Sequence, residues 1–318
     1  MSFFRRRTDT PPVDPAQAAA PSVDPAGLTP DQVAWIRARA LATLTENGVE
    51  AIADDNGVDL VADGHRMPLD NALAKCRAAN PDDWSAIVEQ HFGALARQAA
   101  QPGVDQLTGD QLASQVRTRL VHIDDLRVPI DPSTVIDMTE YALPVADDLA
   151  AVLCIDFPET VTYLNSERAR SLDLPALYTH GQANTDAEPL DEVFTTDEGR
   201  IAVGYGSSLF VASKALNMPA LLHRIFGSTD TPHGVVFATP NRNEVLLHRI
   251  SADNSITAIG SLASLAAARF DGAVGAVSPN IYFWHQGTYL RISTADPVEK
   301  SISITPGPQL ESILADLS

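Results

Sequence analysis

Apolar positions along this chain follow two periods. Val33, Ile36, Ala40 and Leu44 recur every three or four residues, the spacing of one helical face. Thr29 and Gln32 stand in capping-box spacing at the start of that run, Pro30 takes the first helical position, and Asn47-Gly48 ends it. The runs VEAIA and GVDLVA follow, joined through Asp54-Asp55-Asn56-Gly57. Asn-Gly between apolar runs predicts a hairpin, because both turn positions favour positive φ. Asp63-Gly64 marks a second turn, into HRMPL, and Asn80-Pro81 opens a helix with Trp84, Ile87, Val88, His91, Phe92 and Leu95 on one face. Residues 29–98 therefore predict a small α+β module of helix, meander and helix.

Residues 99–115 are polar, contain Pro and Gly, and predict a connector. A larger mixed α+β module is expected over 116–295. Within it, Leu149–Phe157 reads as a buried strand paired with Thr160–Leu164, and Ser166–Leu172 and Pro175–Asn184 as short helices. Arg200–Ile250 reads as a strand (IAVGYG), a helix opened by Ser207-Ser208 (SSLFVASKAL) and a hairpin (VVFATPNRNEVLLHRI). Ile256–Phe270 predicts a helix anchored by Ile256, Ile259, Leu262 and Phe270. Asn280–Trp284 and Thr288–Ser293 predict strands turning at Gln286-Gly287, and residues 296–318 a tail ending in a short helix near Pro308–Leu317. The expected fold class is α+β.

Length and composition narrow the function classes. A chain of 318 residues suits two domains at about 150 residues each. The net charge of −19 repels nucleic acid and anionic membrane unless bases are concentrated somewhere, and only Arg5, Arg6 and Arg7 form such a run, enough for a weak membrane-surface tether. Residues 1–28 are rich in Pro, Ala and Asp, repeat VDPA, and are expected to be a disordered tail. No apolar run approaches the roughly 20 residues of a membrane helix, and the basic N-terminus lacks the apolar segment of a secretory signal. Cys76 and Cys154 suggest buried thiols rather than a disulfide framework or a zinc site. The expected protein is soluble, acidic and cytoplasmic.

Three groups of residues carry a family resemblance. They are Met67-Pro68-Leu69-Asp70-Asn71 after the early strands; Asp148–Pro158 with Tyr163-Leu164, Leu177 and Asn184; and Gly204–Leu209 followed by Ala238–Leu246. With these, about residues 30–295 resemble the YtpQ-like proteins, a family of uncharacterised bacterial proteins. Gly206 stands where an acidic residue often follows the aromatic in that family, and Asn243 where Asp often follows the arginine, which puts any role of those carboxylates in question here. The resemblance implies a fold class and no activity.

Chemistry-bearing candidates are few. Gly204-Tyr205-Gly206-Ser207-Ser208 before a helix could bind an anion through free amides, although its spacing matches neither a P-loop nor a nucleophile elbow; serine-capped strand-to-helix geometry explains it equally. Arg242, in Pro240-Asn241-Arg242-Asn243, could reach a carboxylate or simply be solvated on an exposed turn. His223, His233, His248 and His285 share a module without metal-ligand spacing, and Asp147-Asp148 and Asp156 flank one strand as a potential acid pair. No metal and no cofactor are expected. The favoured reading is a non-catalytic binding or adaptor protein whose partner is another protein. The alternative is a hydrolase or nucleotide-handling enzyme using Gly204, Gly206, Ser207, Ser208 and Arg242. Convergent polar groups in one concave site would favour the enzyme; an exposed apolar groove or sheet edge would favour the binding module.

Overall fold

A computed structural model describes residues 27–53, 60–62, 65–99, 104–131, 134–158, 160–252, 255–296, 299 and 301–317. The tail with Arg5–Arg7 and the turns at Asn56-Gly57 and Asp63-Gly64 lie outside them. The protein is α+β, with antiparallel sheets and helices segregated to their faces.

The N-terminal unit comprises α1 (Pro30–Glu46), β1 (Ala51–Ala53), β2 (Leu60–Ala62), β3 (His65–Met67), α2 (Asp70–Ala78) and α3 (Trp84–Ala99). The Thr29 hydroxyl accepts from the Gln32 amide, and the Gln32 side chain accepts from the Thr29 amide at 2.9 Å, so two of the orphan donors at the start of α1 are satisfied. Ile36, Leu44, Leu60, Leu69, Leu73, Val88 and Phe92 form a core confined to this unit. The second helix, α2, breaks the expected pattern of two helices around a meander. Its buried residues are only Ala72, Leu73 and Cys76, too small and too few to stand out as an apolar stripe.

The next stretch holds α4 (Gly109–Gln115), β4 (Val116–His122), β5 (Arg127–Asp131), β6 (Thr134–Asp137), β7 (Leu143–Ala146), β8 (Leu149–Asp156), β9 (Val161–Tyr163), α5 (Ser166–Ala169) and α6 (Leu174–Ala187). The expected connector is thus partly helical, because Thr108 and Gln111 form a second capping box and Leu112 is buried. Strand β8 pairs with β4 on one side and with β7 and β9 on the other, all antiparallel.

Helix α6 lies along the free edge of β4 and closes it. The Thr185 hydroxyl accepts from the Thr118 amide at 3.1 Å and donates to the Thr118 carbonyl at 3.0 Å, while Asn184 Nδ2 donates to the Val116 carbonyl at 2.9 Å. Ser213 Oγ accepts from the Leu120 amide at 3.0 Å. Side chains therefore stand in for a missing neighbouring strand. The approach is close: a Cβ on Gly181 would sit 3.1 Å from Arg117 C and Thr118 N.

The last stretch holds β10 (Glu192–Thr196), β11 (Ile201–Tyr205), α7 (Met218–Phe226), β12 (Val235–Ala238), β13 (Glu244–Arg249), α8 (Ser255–Phe270), β14 (Ile281–His285), β15 (Thr288–Arg291), β16 (Ser293–Asp296), β17 (Ser301–Ile304) and α9 (Gly307–Asp316). A six-stranded antiparallel sheet runs in the order β10-β11-β13-β12-β14-β15. One face packs Phe237, Leu247, Tyr282 and Trp284 against Met218, Leu221 and Leu222, joined by Leu120 and Leu149 of the smaller sheet. The other face packs Val203, Leu246, Ile281 and Phe283 against Ile259, Leu262 and Ala266 of α8 and Leu310 of α9.

Several expectations change here. No α-helix starts at Ser207-Ser208; turns lead into a 3₁₀ segment, Ala212–Asn217, and α7 begins where Asn217 caps and Pro219 follows. Residues 210–215 are buried throughout, so this segment threads the core instead of presenting one apolar stripe. In α8, Ile259 and Leu262 are anchors, but Ile256 is exposed and Phe270 is only half-buried; Ala258, Ala263 and Ala266 face the sheet instead. The expected C-terminal tail contributes β17, which pairs with β16 just before it, and α9 buries Leu310 completely.

Gly181→Ala should destabilise the protein by about 1–3 kcal/mol, because the β4 backbone cannot give way, even though alanine favours a helix by about 1 kcal/mol. Urea unfolding of the variant checks this; unchanged or raised stability would mean that α6 does not approach β4 this closely.

Candidate functional site

The Gly204–Ser208 turn and the Arg242 turn meet through the backbone. The Gly206 amide donates to the Asn243 carbonyl at 3.1 Å, the Ala212 amide donates to the Arg242 carbonyl at 3.1 Å, and Asn243 Nδ2 donates to the carbonyls of Gly206 (3.0 Å) and Ser208 (3.1 Å). Asn243 is thus the residue that fastens the two turns, a role no local sequence signal announces.

Neither glycine of the turn has positive φ. A Cβ on Gly204 would meet Ile225 Cδ1 and Val245 Cγ1 at 3.2 Å, and one on Gly206 would meet Val211 Cγ2 at 3.0 Å, so both serve close packing. Two donors of the turn are taken by carboxylates. The Ser207 amide donates to Asp191 Oδ2 at 2.6 Å, and this bond holds the Asp191 carboxyl below its ordinary range. The Ser208 hydroxyl donates to Glu188 Oε2 at 2.9 Å and accepts from the Phe210 amide at 3.2 Å. An incoming anion would meet Asp191 and Glu188. With no α-helix starting there, and with the Ser207 amide and the Ser208 hydroxyl bonded to carboxylates, the turn lacks the open helix N-terminus that the expected anion site at Ser207-Ser208 relied on.

Arg242 is not the solvated turn arginine that its hairpin position suggests. Its amide donates to the Gly275 carbonyl at 2.9 Å, and its side chain lies over Gly275, where a Cβ would come within 2.4 Å of Arg242 Cδ. Gly275 also has φ +67°, so glycine is required there twice over. The guanidinium is half-buried, and its buried Nε has no hydrogen-bond partner. Burial, then the neighbouring Arg119, push its pKa down to about 10, against the opposing effect of Tyr163. Arg119 stacks over the Tyr163 ring, 5.2 Å from its centroid. Lys75 of α2 is held low by burial and by Arg242, and His91 of α3 is driven down to about 4 by burial, Lys75 and Arg242.

The remaining polar candidates separate. Asp148 and Asp156 sit at opposite ends of β8: Asp156 pairs with Arg117 at 3.3 Å, while Asp148 accepts from Asn280 and Tyr282, so they form no acid pair. His248 bonds the Arg200 carbonyl and Ser255, and His285 bonds the Pro232 carbonyl and Gln309. Among the described residues, no three His, Cys, Asp or Glu side chains are grouped to hold a metal ion, and no helix is long and apolar enough to cross a membrane.

One feature beyond the expected residues stands out. Strand β10 is the outer strand of the six-stranded sheet and, among the described residues, pairs with β11 alone. Val193 is 46% exposed and Phe194 41%, and Tyr205 on β11 is 41% exposed. Phe194 lies opposite Val203 and Glu192 opposite Tyr205, which makes Phe194 and Tyr205 diagonal neighbours on one face. Comparison of the chain with protein-family models, curated proteins and solved structures finds no match.

Two expected outcomes follow from this geometry. Ser208→Ala should cost about 0.5–2 kcal/mol, since its hydroxyl both caps the turn and holds Glu188, whereas Ser207→Ala, which loses an exposed hydroxyl bond to Asp191 but keeps the amide bond, should cost less; equal effects in chemical denaturation would contradict this. The second concerns pH. His91 has a folded pKa of about 4 against an ordinary 6.5, so between those values the unfolded chain binds the extra proton and stability falls as pH falls. His91→Gln should remove up to about 3 kcal/mol of that acid sensitivity, read as a smaller drop in urea midpoint between pH 6.5 and pH 4; parallel curves for the two proteins would refute it.

Proposed function

We propose that this is a non-catalytic binding protein of the adaptor kind, and that its partner adds an extended, basic segment to β10. The observation that carries this reading is the bare edge of the six-stranded sheet. The edge of β4 is closed by side chains of α6 and Ser213, whereas β10 shows exposed Val193 and Phe194 and carries no Lys, Pro or bulge to blunt pairing. Such an edge supports strand addition, with backbone bonds supplying affinity and alternating side chains supplying selectivity.

Charge argues for the occupant. Residues 188–198 carry Glu188, Asp191, Glu192, Asp197 and Glu198 and no base; Glu188 pairs with Arg117, and Asp197 and Glu198 with Arg200, which leaves Asp191 and Glu192 at the start of β10 without a cation among the described residues. A second copy would bring the same acids, and a net charge of −19, against this strip. A segment with alternating apolar residues and flanking Lys or Arg is complementary to it. The enzyme alternative lacks a comparable observation, since two donors of the turn are held by Asp191 and Glu188. The free, buried cysteines suit a reducing compartment, in keeping with a cytoplasmic protein, and a resemblance to the YtpQ-like family would add no activity to this reading.

Extended peptides of alternating Val and Thr, flanked either by Lys or by Glu, test the proposal by fluorescence anisotropy with the full chain. The Lys-flanked peptide should bind in a salt-dependent manner, and Phe194→Lys should weaken it at least tenfold. Equal binding of both peptides, no binding at all, or binding that survives Phe194→Lys would overturn it; concentration-dependent dimerisation abolished by Phe194→Lys would assign the edge to a second copy instead.

A further inference from the structure

We propose that Arg242, Arg119 and Lys75, with His91 beside them, form a binding site for a phosphoryl-class anion at the seam between the N-terminal unit and the rest of the protein. This site is independent of the β10 edge.

The first argument is charge pairing. The chain has 41 acidic and 22 basic residues, so a base should easily find a carboxylate. Arg39, Arg117, Arg127, Arg170, Arg200, Arg269 and Arg291 all do. Among the described residues, Arg242 and Lys75 have no ion pair and no hydrogen bond from their side chains, and the Arg119 guanidinium lies over the face of Tyr163. These three cations nevertheless lie within electrostatic reach of a common neighbour: Arg242 feels Arg119, and Lys75 feels Arg242. Asp125 lies within electrostatic reach of Arg119, yet among the described residues it forms no ion pair with any of the three.

The second argument is that the fold holds the group in place. Arg242 is fixed by backbone bonds on both sides and by the missing side chain of Gly275, and its Nε is buried without a partner. Arg119 is oriented by the Tyr163 ring. Arg119 and Arg242 are half-buried and Lys75 stands exposed at their rim; like charges gathered there repel one another, and a free arginine on a flexible turn would swing out to water. A site that prevents this is built for a counter-charge that the described residues do not supply.

The third argument concerns the ligand. Guanidinium groups present planar forks that match phosphate oxygens bidentately, while the ammonium group acts as a point charge. His91, neutral near pH 7, can donate one further hydrogen bond. Three cations call for more than one negative charge, which favours a phosphoryl group over a carboxylate. Apart from these groups the chain is too acidic for a nucleic-acid track.

The location adds a consequence. Lys75 and His91 come from α2 and α3, whose core is their own, and Arg119 and Arg242 come from β4 and the β12–β13 turn. Without a ligand, like charges face each other across this seam, next to the bond from Arg77 to the Gly272 carbonyl. A bound phosphoryl group would turn that repulsion into a bridge.

Inorganic phosphate, pyrophosphate, a sugar phosphate and adenosine diphosphate, each titrated into the full chain by calorimetry and thermal unfolding against potassium chloride at matched ionic strength, test the proposal. The expected result is saturable binding of at least one of them with a raised melting temperature. The arms separate free phosphate from an organic phosphate. Arg242→Gln and the rim variant Lys75→Gln should each weaken binding at least tenfold and should raise the melting temperature of the ligand-free protein, because a like charge is removed. Arg170→Gln, at a surface pair with Glu140, should leave binding unchanged. No binding beyond the chloride control, binding indifferent to Lys75→Gln and Arg242→Gln, or a loss of ligand-free stability in Lys75→Gln would overturn the site. Phe194→Lys should leave this binding intact, so failure of the edge reading and failure of this one are distinguishable.

Discussion

Asp148 is the joint on which the two sheets of the body depend. It lies in the turn between β7 and β8, buried, and accepts from Asn280 Nδ2 at 2.7 Å and from the Tyr282 hydroxyl at 3.0 Å. A buried carboxylate is costly unless its oxygens are bonded, and here each oxygen has a donor from the larger sheet. The network extends on both sides. Tyr282 shares a 2.6 Å bond with Ser278, and Asn280 Oδ1 accepts from the Ala295 amide, which places β16. Arg291 approaches at 3.6 Å and His122 at 3.9 Å. Because donors and acceptor come from different sheets, none is satisfied unless the sheets meet at one angle. The shared apolar cluster of Leu120, Leu149, Phe237 and Tyr282 supplies adhesion, and Asp148 supplies its alignment.

The same body treats polar groups in three ways. At β4, free backbone groups are satisfied by hydroxyl and amide side chains. At Lys214, a buried ammonium is balanced by carbonyls, donating to Thr185 O at 3.0 Å and Asp186 O at 2.9 Å at the C-terminal end of α6, where the helix dipole favours a cation. At Arg242 neither solution is used. The contrast matters because Lys214 shows that this fold can provide oxygen ligands for an internal cation.

Much of the fold was legible wherever geometry is local. The capping box at Thr29 and Gln32, the continuous apolar run of β8, and the Gln286-Gly287 turn with both φ values positive each depend on neighbours in sequence. The segment 207–217 was misread because its apolar residues are consistent with a helix, while Ser213 and Lys214 are held by distant partners in β4 and α6. The tail was misread because β16 and β17 have only four residues each and alternate weakly. The cluster around Arg242 could not be found in sequence at all. Its members at 75, 91, 119 and 242 are brought together only by tertiary structure, and Arg119 looks like any outward residue of an alternating strand. What drew attention to Arg242 was its turn, yet its side chain packs on Gly275.

The closure of β4 by α6 has a further meaning. Thr185 spends its donor and its acceptor on a single residue of the strand, as a neighbouring strand would. If α6 detaches, the strand is left not merely wet but able to template. Its freed amides and carbonyls would match any extended chain nearby, including the same strand of another molecule. Helix α6 therefore covers an edge that would otherwise be open to pairing, so the integrity of β4 as a single-partner strand depends on α6 staying in place.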